Sequence, residues 1–134
     1  MFALFSLFII VVLSVIVIRI GAVMLELTGV SPEVASFQAQ SAFSGVGFTT
    51  SESEIIVNHP ARRKIIRLLM LMGNAGITSA IASLVLTFYK GSGRDMAIRL
   101  GVVAGGLALL WLISRSKMVD RALTAAIKAA LTRW

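Results

Sequence analysis

Three long apolar segments constrain this chain more than any other feature of its sequence. They cover residues 1–27, 61–89 and 96–113. A helix needs about 20 predominantly apolar residues to cross the hydrocarbon core of a bilayer. The first two segments are long enough, whereas the uninterrupted part of the third, 100–113, holds only 14 residues. The third segment therefore predicts either a transmembrane helix with Arg99 extended toward the headgroups or a re-entrant or interfacial helix.

The composition also indicates a membrane protein. Of the 134 residues, 57% are hydrophobic and 14% are charged, and the mean hydropathy is +0.92. A soluble domain of this length would carry nearer to about a quarter charged residues. The net charge of +7 fits lipid headgroups and membrane topology better than nucleic acid. Because the chain has no cysteine, disulfides and thiolate metal sites are excluded.

We divide the chain into a unit at 1–89, a third apolar helix at 90–115 and a basic tail at 116–134. In the tail, apolar residues recur at helical spacing and basic residues fall mostly on the other side of the helix. The apolar set is Val119, Ala122, Leu123, Ala126, Ile127, Ala130 and Leu131, and the basic set is Lys117, Arg121, Lys128 and Arg133. This pattern predicts an amphipathic helix, either on a membrane surface or linking to a soluble domain.

The segment between the first two apolar runs carries most of the functional information. Ser31 is a good N-cap, Pro32 suits the first helical position, and Glu33 complements the helix dipole. The pattern predicts a helix over 32–43, about 18 Å long and roughly half the hydrocarbon core. Residues 45–47, Gly-Val-Gly, can turn the backbone and present carbonyls. A half-length helix that ends in a glycine loop between two spanning helices is how many ion channels build a filter.

The order of helix, half-helix, glycine loop and helix resembles the membrane–pore–membrane repeat of the Trk/Ktr/HKT superfamily of potassium transporters. Residues 37–43, with Phe-Gln and Ser-Ala-Phe, are similar to that family's pore helix. Residues 46–49, Val-Gly-Phe-Thr, are similar to its filter segment, in which Gly47 matches the key glycine of each repeat. Residues 69–76 resemble the middle of the helix after the filter. The resemblance covers about residues 5–89 and implies two transmembrane helices that flank a re-entrant pore helix and a filter-like loop.

This chain departs from the family in three ways. Family members usually carry four repeats on one chain, and this chain has one. Some members place a gating arginine in the last-repeat helix, where this sequence has Asn74. Residues 90–134 match nothing in the repeat. Because one loop cannot surround an ion, we expect a homo-oligomer, most simply a tetramer, in a bacterial-type cytoplasmic membrane. A dimer is the alternative, and the resemblance also implies a soluble nucleotide-binding regulatory subunit or domain.

The expected ligands are backbone carbonyls of the loop. Carbonyls of Ser44, Gly45, Val46 and Gly47 would replace water around a potassium ion, and Phe48 would wedge the loop against the surrounding helices. The resemblance implies that potassium is the transported ion, and the sequence indicates no organic cofactor and no other metal. The alternative is a re-entrant loop that only packs, or a tight turn between helices.

Three polar residues near the loop have two interpretations each. Asn74, in the middle of the second apolar segment, is expected to bond either the loop backbone beneath the filter or another helix. Glu52 and Glu54 follow the loop, where they would concentrate cations at its mouth or form a solvated acidic loop.

Other pairs are also open to more than one interpretation. Arg19 and Glu26 share a face of the first helix, so Glu26 would draw cations, pair with Arg67, or lie with Arg19 near the headgroups. Gly101 and Gly105 form a Gly-x-x-x-Gly pair that would let two helices approach closely, unless it is a chance occurrence.

The basic residues give conflicting indications of topology. If all three segments span, the loop side carries ten basic residues against three, which predicts that the loop faces the cytoplasm. The ten are Arg19, Arg62, Arg63, Lys64, Arg67, Arg115, Lys117, Arg121, Lys128 and Arg133. If the third segment does not span, the count becomes five against eight and agrees with the family, which places the filter outside.

Two classes of function remain. The first is a cation channel or transporter pore, and the second is a non-conducting anchor that positions a soluble regulatory partner. No nucleophile–base pair, phosphate loop or paired-carboxylate site indicates an enzyme.

Overall fold

The computed structural model describes residues 2–47, 51–89, 93–115 and 117–131, and these residues form six helices. The helices are α1 (Phe2–Leu27), α2 (Pro32–Ser44), α3 (Ser51–Val57), α4 (Pro60–Phe88), α5 (Gly93–Arg115) and α6 (Lys117–Leu131). Of these, α1, α4 and α5 are long and apolar enough to cross a membrane. The prediction of an all-helical membrane protein is therefore confirmed for the helix content and for the length and apolar character of these three helices.

The third apolar segment forms a longer helix than its uninterrupted apolar run suggested. α5 extends over 23 residues, because it begins at Gly93 and includes the turn that carries Arg94 and Asp95. Arg99 donates a hydrogen bond to the carbonyl of Thr87 near the end of α4. The arginine side chain therefore has a polar partner at this end of the helices and does not depend on lipid headgroups alone.

The core lies where α2 packs between α1 and α4. Alanines at 35, 39 and 42 recur at helical spacing, and Ala35 and Ala39 are fully buried. Small side chains on this face let the backbone of α2 approach both long helices closely. Gly21 does the same for α1, since a Cβ there would lie only 2.6 Å from Leu69 Cδ1 of α4.

The helices α1 and α4 run antiparallel, as their polar contacts at the two ends show. At one end the guanidinium of Arg62 donates to Thr28 Oγ1 (2.9 Å) and to the Thr28 carbonyl (2.8 Å). It also donates to the carbonyl of Ile55 in α3 (3.1 Å), so one side chain of α4 connects this helix to α3 and to the residue that follows α1. At the other end the hydroxyls of Ser6 and Ser83 lie 3.2 Å apart. We call the first of these the Arg62 end.

The helices α5 and α6 pack on α1 through other residues than the sequence indicated. A Cβ on Gly106 would overlap the ring of Phe8, whereas among the described residues nothing lies within 4 Å of one on Gly101 or Gly105. The Gly-x-x-x-Gly pair therefore mediates no helix contact with the part of the chain that the structure describes. Glu26 pairs with Lys128 of α6 at 3.0 Å and not with Arg67, which was one of the alternatives left open by the sequence. This ion pair places α6 at the Arg62 end.

Candidate functional site: the glycine loop at the end of α2

The helix α2 begins and ends close to where its sequence predicted. Ser31 is extended (φ −61°, ψ 147°), and its hydroxyl accepts a hydrogen bond from the Val34 amide at 3.5 Å, as an N-cap should. Pro32 occupies the first turn. The helix stops at Ser44 because Gly45 adopts the left-handed conformation with φ 68°, a common way to end a helix.

The end of α2 lies at the middle of both neighbouring long helices. Gly73, the fourteenth of 29 residues in α4, faces the carbonyl of Phe43 so closely that a Cβ there would overlap its oxygen. The Phe43 ring lies next to Gly76, and so does Ser14, the thirteenth of 26 residues in α1. The sequence indicated only a motif at 69–76. The structure assigns its two glycines to the close packing of Phe43.

The loop after α2 contains two glycines in a conformation that other residues rarely adopt. Gly45 has φ 68° and Gly47 has φ 62°. Residues 45–47 are exposed, Val46 by 74%. Among the described residues, no backbone hydrogen bond outside the helices ends on a carbonyl of 45–47. That these carbonyls bind an ion stays a prediction.

Ser44 and Phe48 are the first and last residues of the expected filter loop. The Ser44 hydroxyl donates to the carbonyls of Gln40 (2.8 Å) and Ser41 (3.3 Å), so its side chain turns back onto α2. The Ser44 carbonyl remains a predicted ligand. Phe48, with its expected wedging role, lies outside the described residues, as do residues 49 and 50.

The acidic pair after the loop lies in a helix and not in a solvated loop. Glu52 and Glu54 occupy the first turn of α3, where negative side chains complement the helix dipole. Glu54 is exposed and Glu52 is half-buried. The local reason for their position is thus helix stabilisation, and cation attraction at the loop mouth stays a prediction.

A cavity of about 460 Å³ opens beside the glycine loop, between α2, α3 and α4. Gly45, Gly47 and Asn74 all line it, so the structure brings together the loop and the predicted supporting residue. The Asn74 side chain is exposed and makes no hydrogen bond to any described residue, including 44–47 of the loop. Glu52 and Glu54 are not among the lining residues.

The sequence analysis did not identify Gln38 as a candidate site residue. Gln38 lines the same cavity and is only 5% exposed, and its Nε2 has no hydrogen-bond partner among the described residues. Its position is predictable in retrospect, because 35, 38, 39 and 42 share one face of a helix and the other three are buried alanines. A glutamine on an alanine face is the pattern that would have pointed to it.

Comparison of the chain with protein-family models, with curated proteins and with solved structures gave no match. Within the described residues, no group of three His, Cys, Asp or Glu side chains is arranged to hold a metal ion. The polar groups that line the cavity are the amides of Gln38 and Asn74, the hydroxyl-bearing residues Ser41 and Ser53, and the backbone of Gly45 and Gly47.

Proposed function

We propose that this chain is one subunit of an oligomeric cation pore that carries potassium, with the backbone of residues 44–48 as its filter. One observation carries the proposal. The helix α2 ends halfway along α1 and α4 and continues into two exposed, left-handed glycines.

The path of the chain supports a re-entrant segment. The 13 residues of α2 cover about 20 Å, which is less than the thickness of the hydrocarbon core. The chain enters at the Arg62 end, reaches the middle of α4, and returns to the Arg62 end, where the Ile55 carbonyl meets Arg62. Irregular backbone at such a depth is tolerated only where protein or water satisfies it. A loop of this kind belongs in a water-accessible path.

The electrostatics of α2 favour a cation. A helix carries about half a negative charge at its carboxyl end, and this end of α2 points to the middle of the long helices. The exposed carbonyls of 45–47 add further negative partial charge, and residues 44–47 carry no charged side chain. An ion that sheds part of its water here meets carbonyl oxygens in its place. The choice of potassium rests on the resemblance to the Trk/Ktr/HKT repeat.

The geometry of one chain calls for further copies. A single loop presents carbonyls from one side only, whereas a filter surrounds its ion. Asn74 is exposed near the middle of α4, and an amide in a spanning helix needs a polar partner or water. A ring of four copies around one axis would answer both requirements with one repeated interface. Soluble nucleotide-binding subunits remain a partner that the resemblance alone implies.

A second candidate function has one observation in its favour. The amphipathic helix α6 is held against α1 by the Glu26–Lys128 ion pair, as would suit an anchor that presents its tail to a soluble regulatory partner. In that case the loop would be retained without conducting.

Flux measurements separate the two functions. The purified chain is reconstituted in liposomes, potassium and sodium fluxes are measured, and native mass spectrometry in mild detergent gives the number of copies. We expect a tetramer that conducts potassium. Gly47→Ala should abolish or broaden selectivity, because alanine in the left-handed region costs about 1–2 kcal/mol.

Gly101→Ala is the matched control for Gly47→Ala. At both glycines a Cβ would meet no atom of the described residues within 4 Å, but Gly101 lies in a helix, so this variant should conduct as the parent does. A stable monomer or dimer without flux would favour the anchor. An unchanged preference for potassium over sodium in Gly47→Ala would show that Gly47 is not a filter residue.

A further inference from the structure

The buried amide of Gln38 poses a problem that the pore proposal does not resolve. Its Nε2 is enclosed and has no partner among the described residues. An unpaired buried amide destabilises the fold, because it has lost its hydrogen bonds to water and gained none from protein. A site that keeps such a group is expected to supply a partner under working conditions.

The cavity beside Gln38 offers polar groups that could share a ligand with it. Its lining includes the hydroxyl-bearing residues Ser41 and Ser53, the amide of Asn74 and the backbone of Gly45 and Gly47. No charged side chain is among the lining residues that the structure describes. A neutral polar lining of this kind binds water well, whereas a fully dehydrated ion would need more oxygens pointing at one position.

The remaining lining is apolar and belongs to the helices that enclose the cavity. Ala42, Ile56 and Ile66 form part of these walls, and Ile56 is almost completely buried. The opposite side is open, since Gly45, Gly47 and Asn74 are exposed. The volume of about 460 Å³ exceeds by far the roughly 30 Å³ that one water occupies in the liquid.

We infer that this cavity is a water-filled chamber that reaches from the exposed side of the glycine loop to the amide of Gln38. The terminal bond of a glutamine side chain is rotationally soft, so the amide can turn toward the cavity and donate to a bound water. Water in this chamber hydrates the loop from the side, at the depth where α2 ends. The inference requires membrane insertion and not ion conduction, so it goes beyond the proposed function.

The lack of cysteine in the chain makes a direct test possible. Single-cysteine variants Ser41→Cys and Ala39→Cys are placed in lipid nanodiscs and treated with a charged, water-soluble methanethiosulfonate. Ser41 lines the chamber, whereas Ala39 lies two residues away on the same helix and is fully buried in the core. The cysteine thiolate attacks the sulfur of the reagent, forms a mixed disulfide and displaces methanesulfinate. Because the thiolate forms readily only where water solvates it, Ser41→Cys should react about tenfold faster or more.

A second variant tests the role of Gln38 itself. In Gln38→Leu combined with Ser41→Cys, the side chain keeps its approximate volume but can no longer bind water. We expect the modification rate at position 41 to fall toward that of Ala39→Cys. Helix content by circular dichroism and complete labelling after unfolding in dodecyl sulfate show that each variant is folded and that its thiol is intact.

Each outcome decides a separate part of the inference. Equal, slow reaction of Ser41→Cys and Ala39→Cys would overturn the chamber. Fast reaction that Gln38→Leu leaves unchanged would overturn Gln38 as the group that holds the water. A chain that conducts but does not label refutes the chamber alone, and one that labels but does not conduct refutes the pore alone.

Discussion

The unit formed by α1, α2 and α4 is packed mainly through backbone contacts, whereas the part formed by α5 and α6 is packed through side-chain contacts. In the first, backbone meets backbone, since the Phe43 carbonyl lies against Gly73 and alanines of α2 are fully buried. In the second, the contacts use side chains that can move. The Phe8 ring lies over Gly106, and the Lys128 side chain is 45% exposed in its pair with Glu26.

This difference determines how each part responds to change. A backbone contact can yield only if a whole helix shifts, so an added methyl group must displace α2 and the loop that follows it. A ring or a lysine can rotate away at little cost. We therefore expect α1, α2 and α4 to unfold as one cooperative unit, and α5 and α6 to tolerate substitution.

The largest effect is expected at Gly73. Gly73→Ala should destabilise the chain by about 3 kcal/mol or more, because its Cβ would overlap the Phe43 carbonyl and force α2 away from α4. Unfolding in detergent, followed by circular dichroism, measures the change. Gly101→Ala is the control, and it should be neutral or slightly stabilising because its Cβ would meet none of the described residues within 4 Å and alanine favours helix. Equal stability of the two variants would contradict the close packing of α2.

The next largest effect is expected at Arg62. Arg62→Gln should cost about 2 kcal/mol, because the three hydrogen bonds from its guanidinium to Thr28 and Ile55 are lost. The neighbouring Arg63 is exposed, so Arg63→Gln should change the free energy of unfolding by no more than about 0.5 kcal/mol. Similar losses in both variants would mean that charge at the Arg62 end matters more than these bonds.

A smaller effect is expected at the contact between α1 and α5. Gly106→Ala should cost at most about 1 kcal/mol, because the Phe8 ring can move and alanine improves the helix. A double-mutant cycle with Phe8→Leu is measured by the same unfolding assay. Its coupling energy should be opposite in sign to the loss of stability that Gly106→Ala causes by itself. If Gly106→Ala costs as much as Gly73→Ala, the contrast between the two parts of the chain fails.

The smallest effect is expected at the ion pair that holds α6. Lys128→Glu should cost less than about 1 kcal/mol, since this pair is partly exposed. The effect should be confined to α6, which a protease should cleave faster in the variant than in the parent at low salt. The double reversal Glu26→Lys with Lys128→Glu should restore protection, and salt should reduce the difference. If the double reversal does not restore protection from the protease, the loss of protection is caused by the new charges themselves and not by the broken ion pair.

The long apolar helices and the half-length helix α2 could be predicted from local sequence because their causes are local. Long apolar runs determine α1 and α4, and the Ser31-Pro32 cap together with Gly45 sets the bounds of α2. The third run left two alternatives, and the structure forms a helix there that is long enough to span. The short helix α3 was not predicted, because the acidic pair alone suggested a loop.

The candidate site was predicted only in part. The two loop glycines have the conformations expected from a Gly-Val-Gly run, since no other residue adopts them as readily. Gln38 was not singled out, although its place on the alanine face of α2 follows from helical spacing. Its lack of a partner could not be predicted, because that depends on what α3 and α4 bring to the same cavity.

The sequence by itself determined the membrane class, the half-length of α2 and the turn at its end, because these follow from composition, capping and glycine. Only the tertiary structure decided that Gly73 receives the Phe43 carbonyl, that Arg62 connects α4 to α3 and to the residue that follows α1, and that Glu26 pairs with Lys128. Each of these contacts joins residues far apart in the chain. Their partners depend on which helix faces which, and this is set by the packing of all the helices together.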